Sequence, residues 1–150
     1  MLDTFDLAIL RALQDDASLT NAELSERVHL SPSQCSRRRA ALEKSGVIRG
    51  YRAELDATKL GLGIEAITRV TLSAHGTETA DEFTQALMGL SEVVEASIVT
   101  GDADYVLRIR AASLEALAEF IHRRLLPLSA VSQVRSDIVL RQLKRTGTPI

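Results

Sequence analysis

The sequence predicts an α+β protein of two parts, a three-helix part followed by a βαββαβ sandwich. Two observations lead to this fold class. Apolar residues recur at helical spacing near the N-terminus, whereas strand-like and helix-like patterns alternate from residue 64 onward. A stretch with two glycines lies between these regions. We therefore expect one domain at residues 1–52, a linker at 53–63 and a second domain at 64–150.

Three short helices are predicted in the first part, each with its own start signal. Asp3, Thr20 and Ser31 stand at the N-cap positions, and the last two open capping boxes. Pro32 occupies the first position of the third helix, and Gly46 follows its end. The predicted ranges are residues 3–14, 21–28 and 32–45.

A very short turn separates the second predicted helix from the third, which is helix-turn-helix geometry. In that motif the second helix of the pair places its N-terminal part against the bases of the major groove. Serine and glutamine hydrogen-bond to base edges, and arginine reads guanine or binds phosphate. The residues of this helix predicted to contact DNA are Ser31, Ser33, Gln34, Ser36, Arg37 and Arg38.

The charge distribution indicates a site for a polyanion. Residues 30–52 carry six basic side chains and one acidic one, although the whole chain has a formal net charge of −2. A solvated helix face with paired arginines is the alternative for such a run. Downstream, the alternation at Val47–Ala53 predicts a short strand that forms a wing, with Arg49 and Arg52 placed to contact the DNA backbone.

The second part reads as strand, helix, two strands, helix and strand. The pattern predicts strands at 64–73, 93–99, 105–111 and 134–143, and helices at 79–90 and 113–126. A tight turn at Gly101–Asp104 joins the two middle strands. This order is that of a ferredoxin-like sandwich, in which two helices cover one face of the sheet.

The strands carry more apolar positions than one small layer of core uses. From this excess we expect a homodimer that packs sheet against sheet, because a monomer would leave apolar area exposed. A twofold dimer would also place two helix-turn-helix units on a pseudo-palindromic operator in double-stranded DNA. The apolar positions in question are Ile98, Tyr105, Leu107, Ile109, Ile138 and Leu140.

The sequence lacks the residue patterns of an enzyme, a metal site or a membrane protein. It has no phosphate-binding glycine loop, nucleophile elbow or zinc-protease motif, and its three histidines, His29, His75 and His122, lie far apart. The single cysteine, Cys35, is expected in the core. No apolar run approaches a membrane-spanning length. We expect no enzymatic activity, no cofactor, no metal and a cytoplasmic, nucleoid-associated location.

The first 56 residues resemble the DNA-binding half of the Lrp/AsnC family, the leucine-responsive or feast/famine regulators. The resemblance rests on the segments LDTFDLAIL, TNAELSERVHLSP and LEKSGVIRGY, and it continues through the rest of the chain. One departure is Arg39, where family members usually have valine or isoleucine on the apolar seam between Cys35 and Leu42. We expect Arg39 to find an acidic partner or a phosphate, and expect Arg37 and Arg38 to carry DNA binding.

The resemblance also implies an effector site. The segment TGDADY resembles the ligand-binding motif of the family, whose effector is an amino acid bound in clefts between dimers. Its backbone N–H groups would bind the effector carboxylate, and Asp104 would pair with the ammonium. The last strand would supply the partner segment, where Asp137 replaces a residue that is uncharged in many relatives. The residues carried over are Gly101, Asp102, Asp104, Tyr105, Asp137 and Ile138.

The resemblance implies a sequence-specific transcriptional regulator that responds to an amino acid and controls genes of amino-acid metabolism. It also implies a homodimer that assembles further, for example into an octamer. The alternative is a global architectural protein that wraps DNA with weak sequence preference. Steep salt dependence with little sequence preference would distinguish the alternative.

Overall fold

The computed structural model describes residues 1–73, 77–128, 131–145 and 147–150. The chain forms two compact units. The first comprises Met1–Glu54 and Lys144–Ile150, and the second comprises Leu55–Leu143. The linker expected at residues 53–63 stays a prediction.

The first unit contains three helices, α1 (Thr4–Asp15), α2 (Asn21–Val28) and α3 (Pro32–Lys44). All three start with a capping box, in which the N-cap side chain and the residue three positions later satisfy each other's backbone N–H groups. The predicted helices are therefore confirmed. Together with Leu19 from the connection between α1 and α2, their buried side chains form the core of this unit, which comprises Ile9, Leu10, Leu13, Leu19, Leu24, Val28, Cys35 and Leu42.

The predicted wing strand at Val47–Ala53 is wrong, because these residues form no strand. A strand needs a neighbour for its backbone hydrogen bonds, and the described residues of the first unit contain no other strand. The segment is instead tied to α3. The Ile48 N–H donates to the carbonyl oxygen of Leu42 at 3.1 Å, and Tyr51 is held by Arg39.

The second unit has the predicted element order. It consists of β1 (Ile64–Leu72), α4 (Thr77–Met88), β2 (Val93–Ile98), β3 (Tyr105–Ala111), α5 (Leu114–Phe120) and β4 (Val131–Ile138). The sheet order is β2-β3-β1-β4, with every neighbouring pair antiparallel. Helix α5 continues as a π-helical segment, Ile121–Leu125. The ferredoxin-like sandwich is confirmed.

Strand β4 lies earlier in the chain than the alternation predicts. It spans Val131–Ile138 rather than residues 134–143, because its extent is set by pairing with β1. Ala66 lies opposite Ile138 at one end of this pairing, and Leu72 lies opposite Val131 at the other. Residues beyond the end of this pairing have no partner strand for their backbone hydrogen bonds, even where the apolar pattern continues.

The two faces of the sheet differ in chemistry. On one face, the core strand residues Ala66, Val70, Leu107 and Ile109 pack under the helices together with Phe83 and other apolar side chains. The opposite face is charged. There Arg108 and Arg110 both contact Glu65, a carboxylate only 5 % exposed, and Arg69 pairs with Asp137.

This division corrects the argument for a sheet-to-sheet dimer. Tyr105, Leu107 and Ile109 are buried beneath the protein's own helices, so they are not surplus apolar residues. Ile98 and Ile138 are exposed, but they pair with Tyr105 and Ala66 and therefore project toward the helix-covered side. These residues were counted as surplus because an alternating pattern divides a strand into two faces but does not indicate which face the helices cover.

Candidate functional site

Helix α3 presents a polar outer surface near its N-terminus. Ser33, Ser36 and Arg37 are exposed, whereas Cys35 between them is fully buried against α1 and α2. Residues at these spacings share one side of a helix. Arg37 makes no ion pair with any described residue. The outer surface of α3 therefore offers hydroxyl groups and a free guanidinium.

Two other predicted DNA-binding residues form the start of α3. The Ser31 Oγ accepts the Gln34 N–H at 3.2 Å, and the Gln34 Oε1 accepts the Ser31 N–H at 3.0 Å. The Ser31 hydroxyl also bonds to Gln34 Oε1 at 3.0 Å. Because the carbonyl end of the Gln34 amide is occupied, its Nε2 group remains as the donor that points away from the cap.

Arg38 is partly exposed and pairs with acidic side chains at the start of α1, and its predicted contact with DNA stays a prediction. Its Nη1 donates to Asp3 Oδ2 at 2.8 Å and to Asp6 Oδ1 at 2.7 Å, and its guanidinium lies 5.5 Å from the centre of the Phe5 ring. These carboxylates raise the pKa of Arg38. The Asp6 backbone N–H, followed by Arg38, lowers the pKa of Asp3. Arg38 thus holds α3 against the start of α1.

Arg39 has the acidic partner that its place on the apolar seam requires. Its Nε lies 3.4 Å from Glu43 Oε1 and donates to the Tyr51 Oη at 2.8 Å, while Nη1 donates to the Leu19 carbonyl at 3.0 Å. The guanidinium also lies 4.7 Å from the Tyr51 ring centre. Burial, followed by the hydrogen bond to Glu43, raises the pKa of Tyr51. Arg39 is a structural residue that anchors the segment after α3.

Arg49 and Arg52 lie on that anchored segment. Both are exposed, and neither pairs with an acidic side chain among the residues that the structure describes. They therefore share the chemistry of Arg37, although no strand carries them. Two of the five arginines in this region are committed to internal contacts and three remain available to an external anion.

The turn between β2 and β3 is attached to the end of β1. Asp104 Oδ2 accepts the Leu72 N–H at 2.7 Å, and the Asp104 N–H donates to the Val70 carbonyl at 3.0 Å. Gly101 has φ +127°, which a side chain would disfavour. The Thr71 hydroxyl contacts the Asp102 carbonyl at 3.5 Å. Asp104 therefore shapes the turn, and Asp102 is left at its exposed tip.

A cleft of about 530 Å³ opens beside this turn, on the charged face of the sheet. Asp102 stands on its turn side, and Arg69 and Arg135 stand on its sheet side. The full lining is Arg69, Thr71, Val99, Thr100, Asp102, Ala103, Val106, Gln133 and Arg135.

Among the predicted effector residues, Asp102 belongs to this lining, whereas Gly101, Asp104, Tyr105, Asp137 and Ile138 do not. Tyr105 is 4 % exposed, its hydroxyl donates to the Ala80 carbonyl at 3.3 Å, and its ring centre lies 4.8 Å from that of Phe83. Its side chain therefore lies in the core on the opposite side of the sheet from this cleft, and its predicted role in effector binding stays a prediction. Ile138 projects to the same side as Tyr105, whereas Asp137 projects to the cleft side, where it pairs with Arg69.

Sequence reasoning missed four polar residues of the cleft, Arg69, Thr71, Gln133 and Arg135. In the antiparallel pairing of β1 with β4, Arg69 lies opposite Arg135 and Thr71 lies opposite Gln133. A signal was present, because the two residues on each strand are two positions apart and alternate with core positions. Their meeting depended on the register of β1 with β4, which the sequence pattern does not specify.

Other kinds of site find no support in the part of the chain that the structure describes. No three His, Cys, Asp or Glu side chains within it come together as metal ligands. His75 lies outside the described residues. Within the same ranges, no helix combines the length and the apolar character that crossing a membrane requires.

A capped helix-turn-helix joined to a ferredoxin-like ligand domain defines a two-domain DNA-binding transcriptional regulator. The family model of a winged helix-turn-helix DNA-binding domain matches residues 2–49, and that of the Lrp/AsnC ligand-binding domain matches residues 65–149. The chain belongs to the Lrp/AsnC family.

Individual relatives agree with this assignment over nearly the full chain. The leucine-responsive regulatory protein of Haemophilus influenzae is 37% identical over 146 residues, covering 97% of this chain and 88% of the relative. The transcriptional regulator AzlB of Bacillus subtilis is 38% identical, covering 97% and 93%. A transcriptional regulator of Neisseria meningitidis, solved as a complex with L-methionine, superimposes with a TM-score of 0.93 at 36% identity, covering 97% and 94%.

Proposed function

We propose that this protein binds specific operators through α3 and that an amino acid bound to the second unit modulates this binding. The observation that carries the proposal is the outer surface of α3. There Arg37 is exposed and unpaired among the described residues, while both neighbouring arginines are committed to internal contacts. A helix held by such contacts presents few side chains to DNA, in a defined orientation.

Each exposed residue has a role that its chemistry supports. Arg37 reads guanine through its two parallel donors or binds a phosphate. Ser33, Ser36 and the Gln34 amide donate to base edges or to phosphate oxygens. Arg49 and Arg52 contact the DNA backbone. Arg38 acts indirectly, because it sets the position of α3 against α1.

The effector site is proposed at the cleft beside the Gly101–Asp104 turn. Asp102 would pair with the effector ammonium, and Arg135 would pair with its carboxylate. The methionine complex of the Neisseria relative supports an amino acid as the ligand. Asp104 keeps its role in holding the turn. No cofactor, metal or enzymatic activity enters this function.

The oligomeric state, the cellular location and the target genes follow from the same proposed function. A homodimer reads a pseudo-palindromic operator because each helix-turn-helix covers one half-site. Higher assembly, such as an octamer, would couple several dimers on one DNA segment. The location is cytoplasmic, on the nucleoid, and the targets are genes of amino-acid metabolism. The effector would bind one arrangement of the helix-turn-helix units more tightly than another. Effector binding would therefore change the affinity for DNA.

The first test is selection of bound sequences from random DNA, followed by affinity measurements at fixed salt. Arg37→Ala should lower affinity for the selected operator by at least about fivefold and relax preference at one position per half-site, since a bidentate arginine–guanine contact contributes about 1–3 kcal/mol. Its melting temperature should not change. Arg39→Ile should retain most operator affinity.

Arg38→Ala is the matched control, because it removes the same side chain from the adjacent position. It should lower the melting temperature, since it leaves Asp3 and Asp6 without their cation. If Arg38→Ala alone reduces operator preference with unchanged stability, the assignment of roles is wrong. If unselected DNA binds as tightly as the operator and no amino acid changes affinity, the protein is an architectural DNA-wrapping protein instead.

A further inference from the structure

The cleft on the charged face of the second unit holds two arginines in an arrangement that calls for an anion. Arg69 on β1 lies directly opposite Arg135 on β4, and both line the cleft. Like charges at directly opposite positions of antiparallel strands repel each other. Such a pair is stabilised by anions that bind between or beside the two guanidinium groups.

The protein itself supplies only part of the counter-charge. Asp137 pairs with Nη1 of Arg69, whereas Arg135 makes no ion pair with any described residue. A guanidinium has five N–H donors, so the contact with Asp137 leaves donors of Arg69 unused. Asp102, the only acidic side chain among the described residues of the lining, comes from the turn rather than from the sheet. The cleft thus has cationic groups on the sheet side and a carboxylate on the turn side.

We infer that the effector is an amino acid with a carboxylate in its side chain. This inference rests on the proposed function, because it specifies the ligand of the proposed effector site. The ammonium of such a ligand pairs with Asp102, and its two carboxylates engage Arg135 and the free donors of Arg69. Charge-assisted hydrogen bonds of this kind are roughly twice as strong as neutral ones.

An apolar side chain fits this cleft poorly. Once the α-carboxylate pairs with one arginine, a leucine-like or methionine-like side chain would cover the other and displace water without replacing its hydrogen bonds. The apolar side chains of the lining, Val99, Ala103 and Val106, are short or branched close to the backbone. Those side chains suit the one or two methylene groups of an acidic amino acid.

The test is titration calorimetry of the full chain with L-glutamate, L-aspartate, L-glutamine, L-leucine and L-methionine. Glutamine is the neutral isostere of glutamate, so the comparison isolates the second carboxylate. We expect an acidic amino acid to bind at least about tenfold more tightly than glutamine, leucine or methionine. Arg69→Gln should remove most of this difference, because Arg69 engages the side-chain carboxylate that glutamine lacks. Arg141→Gln, which changes an exposed arginine outside the cleft, should leave it unchanged.

A second variant gives an effect of opposite sign. Asp137→Asn removes the internal partner of Arg69 and should tighten binding of the acidic ligand by several-fold, as a purely structural role of these residues would not. Tighter binding of leucine or methionine, unaffected by Arg69→Gln, would overturn the inference and leave the proposed function standing. If none of the common amino acids binds and none changes DNA affinity, the proposed effector function fails together with it.

Discussion

At the scale of single residues, His29 adopts the strained backbone conformation that the sharp turn between α2 and α3 requires. Its φ is +56°, the left-handed region, and it is the only non-glycine residue with positive φ in the described chain. This conformation costs an L-residue about 1–2 kcal/mol, which glycine avoids. The turn sets the angle of the helix-turn-helix, so the strain is the consequence of a required geometry.

We expect His29→Gly to raise the free energy of unfolding by about 0.5–1 kcal/mol, because relief of the left-handed strain exceeds the entropy lost by glycine on folding. Urea unfolding followed by circular dichroism measures the change. His29→Ala is the control, since it removes the imidazole and keeps the strain. Equal stabilisation by both variants would attribute the effect to the imidazole instead of the backbone.

Cys35 shows how burial governs the chemistry of a single side chain. Its side chain is fully buried, and burial raises the pKa of its thiol even though the nearby Arg38 acts in the opposite direction. Below the ordinary thiol pKa of about 8.5, the thiol is neutral in both folded and unfolded states. As pH rises from there toward the raised folded value, the unfolded state ionises first, so the stability contribution of Cys35 is lost.

We therefore expect the thiol of the native protein to react with a disulfide reagent at pH 8 far more slowly than that of the urea-unfolded chain. Between pH 8 and 10, the free energy of unfolding should fall more steeply in the wild type than in Cys35→Ala. This difference isolates Cys35 from other groups that titrate in the same range. Rapid native labelling would show that α3 leaves the core more often than its packing indicates.

At the scale of elements, the charged face of the sheet is organised around one buried carboxylate. Glu65 on β1 is 5 % exposed and contacts Arg108 and Arg110 on the neighbouring strand β3. Arg108 also donates to Glu95 Oε2 on β2 at 3.0 Å, and Glu95 followed by Glu65 raises its pKa. These contacts connect three strands across the face of the sheet opposite to the one that packs against the described helices.

We expect Glu65→Ala to destabilise the second unit by about 3 kcal/mol, because it leaves two partly buried guanidinium groups without their shared anion. Glu95→Ala is the matched control on the edge strand. Its side chain is 62% exposed, so water replaces it and the loss should stay below about 1 kcal/mol. Thermal unfolding of both variants measures the difference. Similar losses from the two would mean that water reaches Glu65 freely.

At the scale of the whole molecule, DNA binding depends on how many basic residues remain free. Residues 30–52 carry six basic side chains, and two of them, Arg38 and Arg39, are held by internal contacts. The remaining four are Arg37, Lys44, Arg49 and Arg52. If each neutralises one phosphate, the slope of log affinity against log salt is about −4 for each helix-turn-helix head.

We expect a slope near this value per head rather than the value of about −5 that six free cations would produce. Fluorescence anisotropy of labelled operator over a range of potassium chloride concentrations measures it. Arg49→Ala should flatten the slope by about one unit per head, whereas Arg38→Ala at a temperature where it remains folded should not change it. An equal effect of both would show that Arg38 leaves its carboxylates to bind DNA.

Much of the architecture was determined by the sequence alone, because the information is local. Helix starts depend on side chains within three residues of the cap, and Asp3, Thr20 and Ser31 are all N-caps of capping boxes. The strands of the second unit follow from an alternation that also operates over neighbouring positions. The family resemblance and the turn at Gly101 were predictable as well, because both rest on short segments of consecutive residues.

Only the tertiary structure decided which side chains are available for function. Arg37 and Arg38 are adjacent in sequence, yet one is free and the other is bound to Asp3 and Asp6, because α3 packs against α1 from 30 or more residues away. Likewise, Arg69 and Arg135 meet through the register of β1 with β4. Such long-range pairings depend on packing and register rather than on local pattern, which is why composition and periodicity alone did not reveal them.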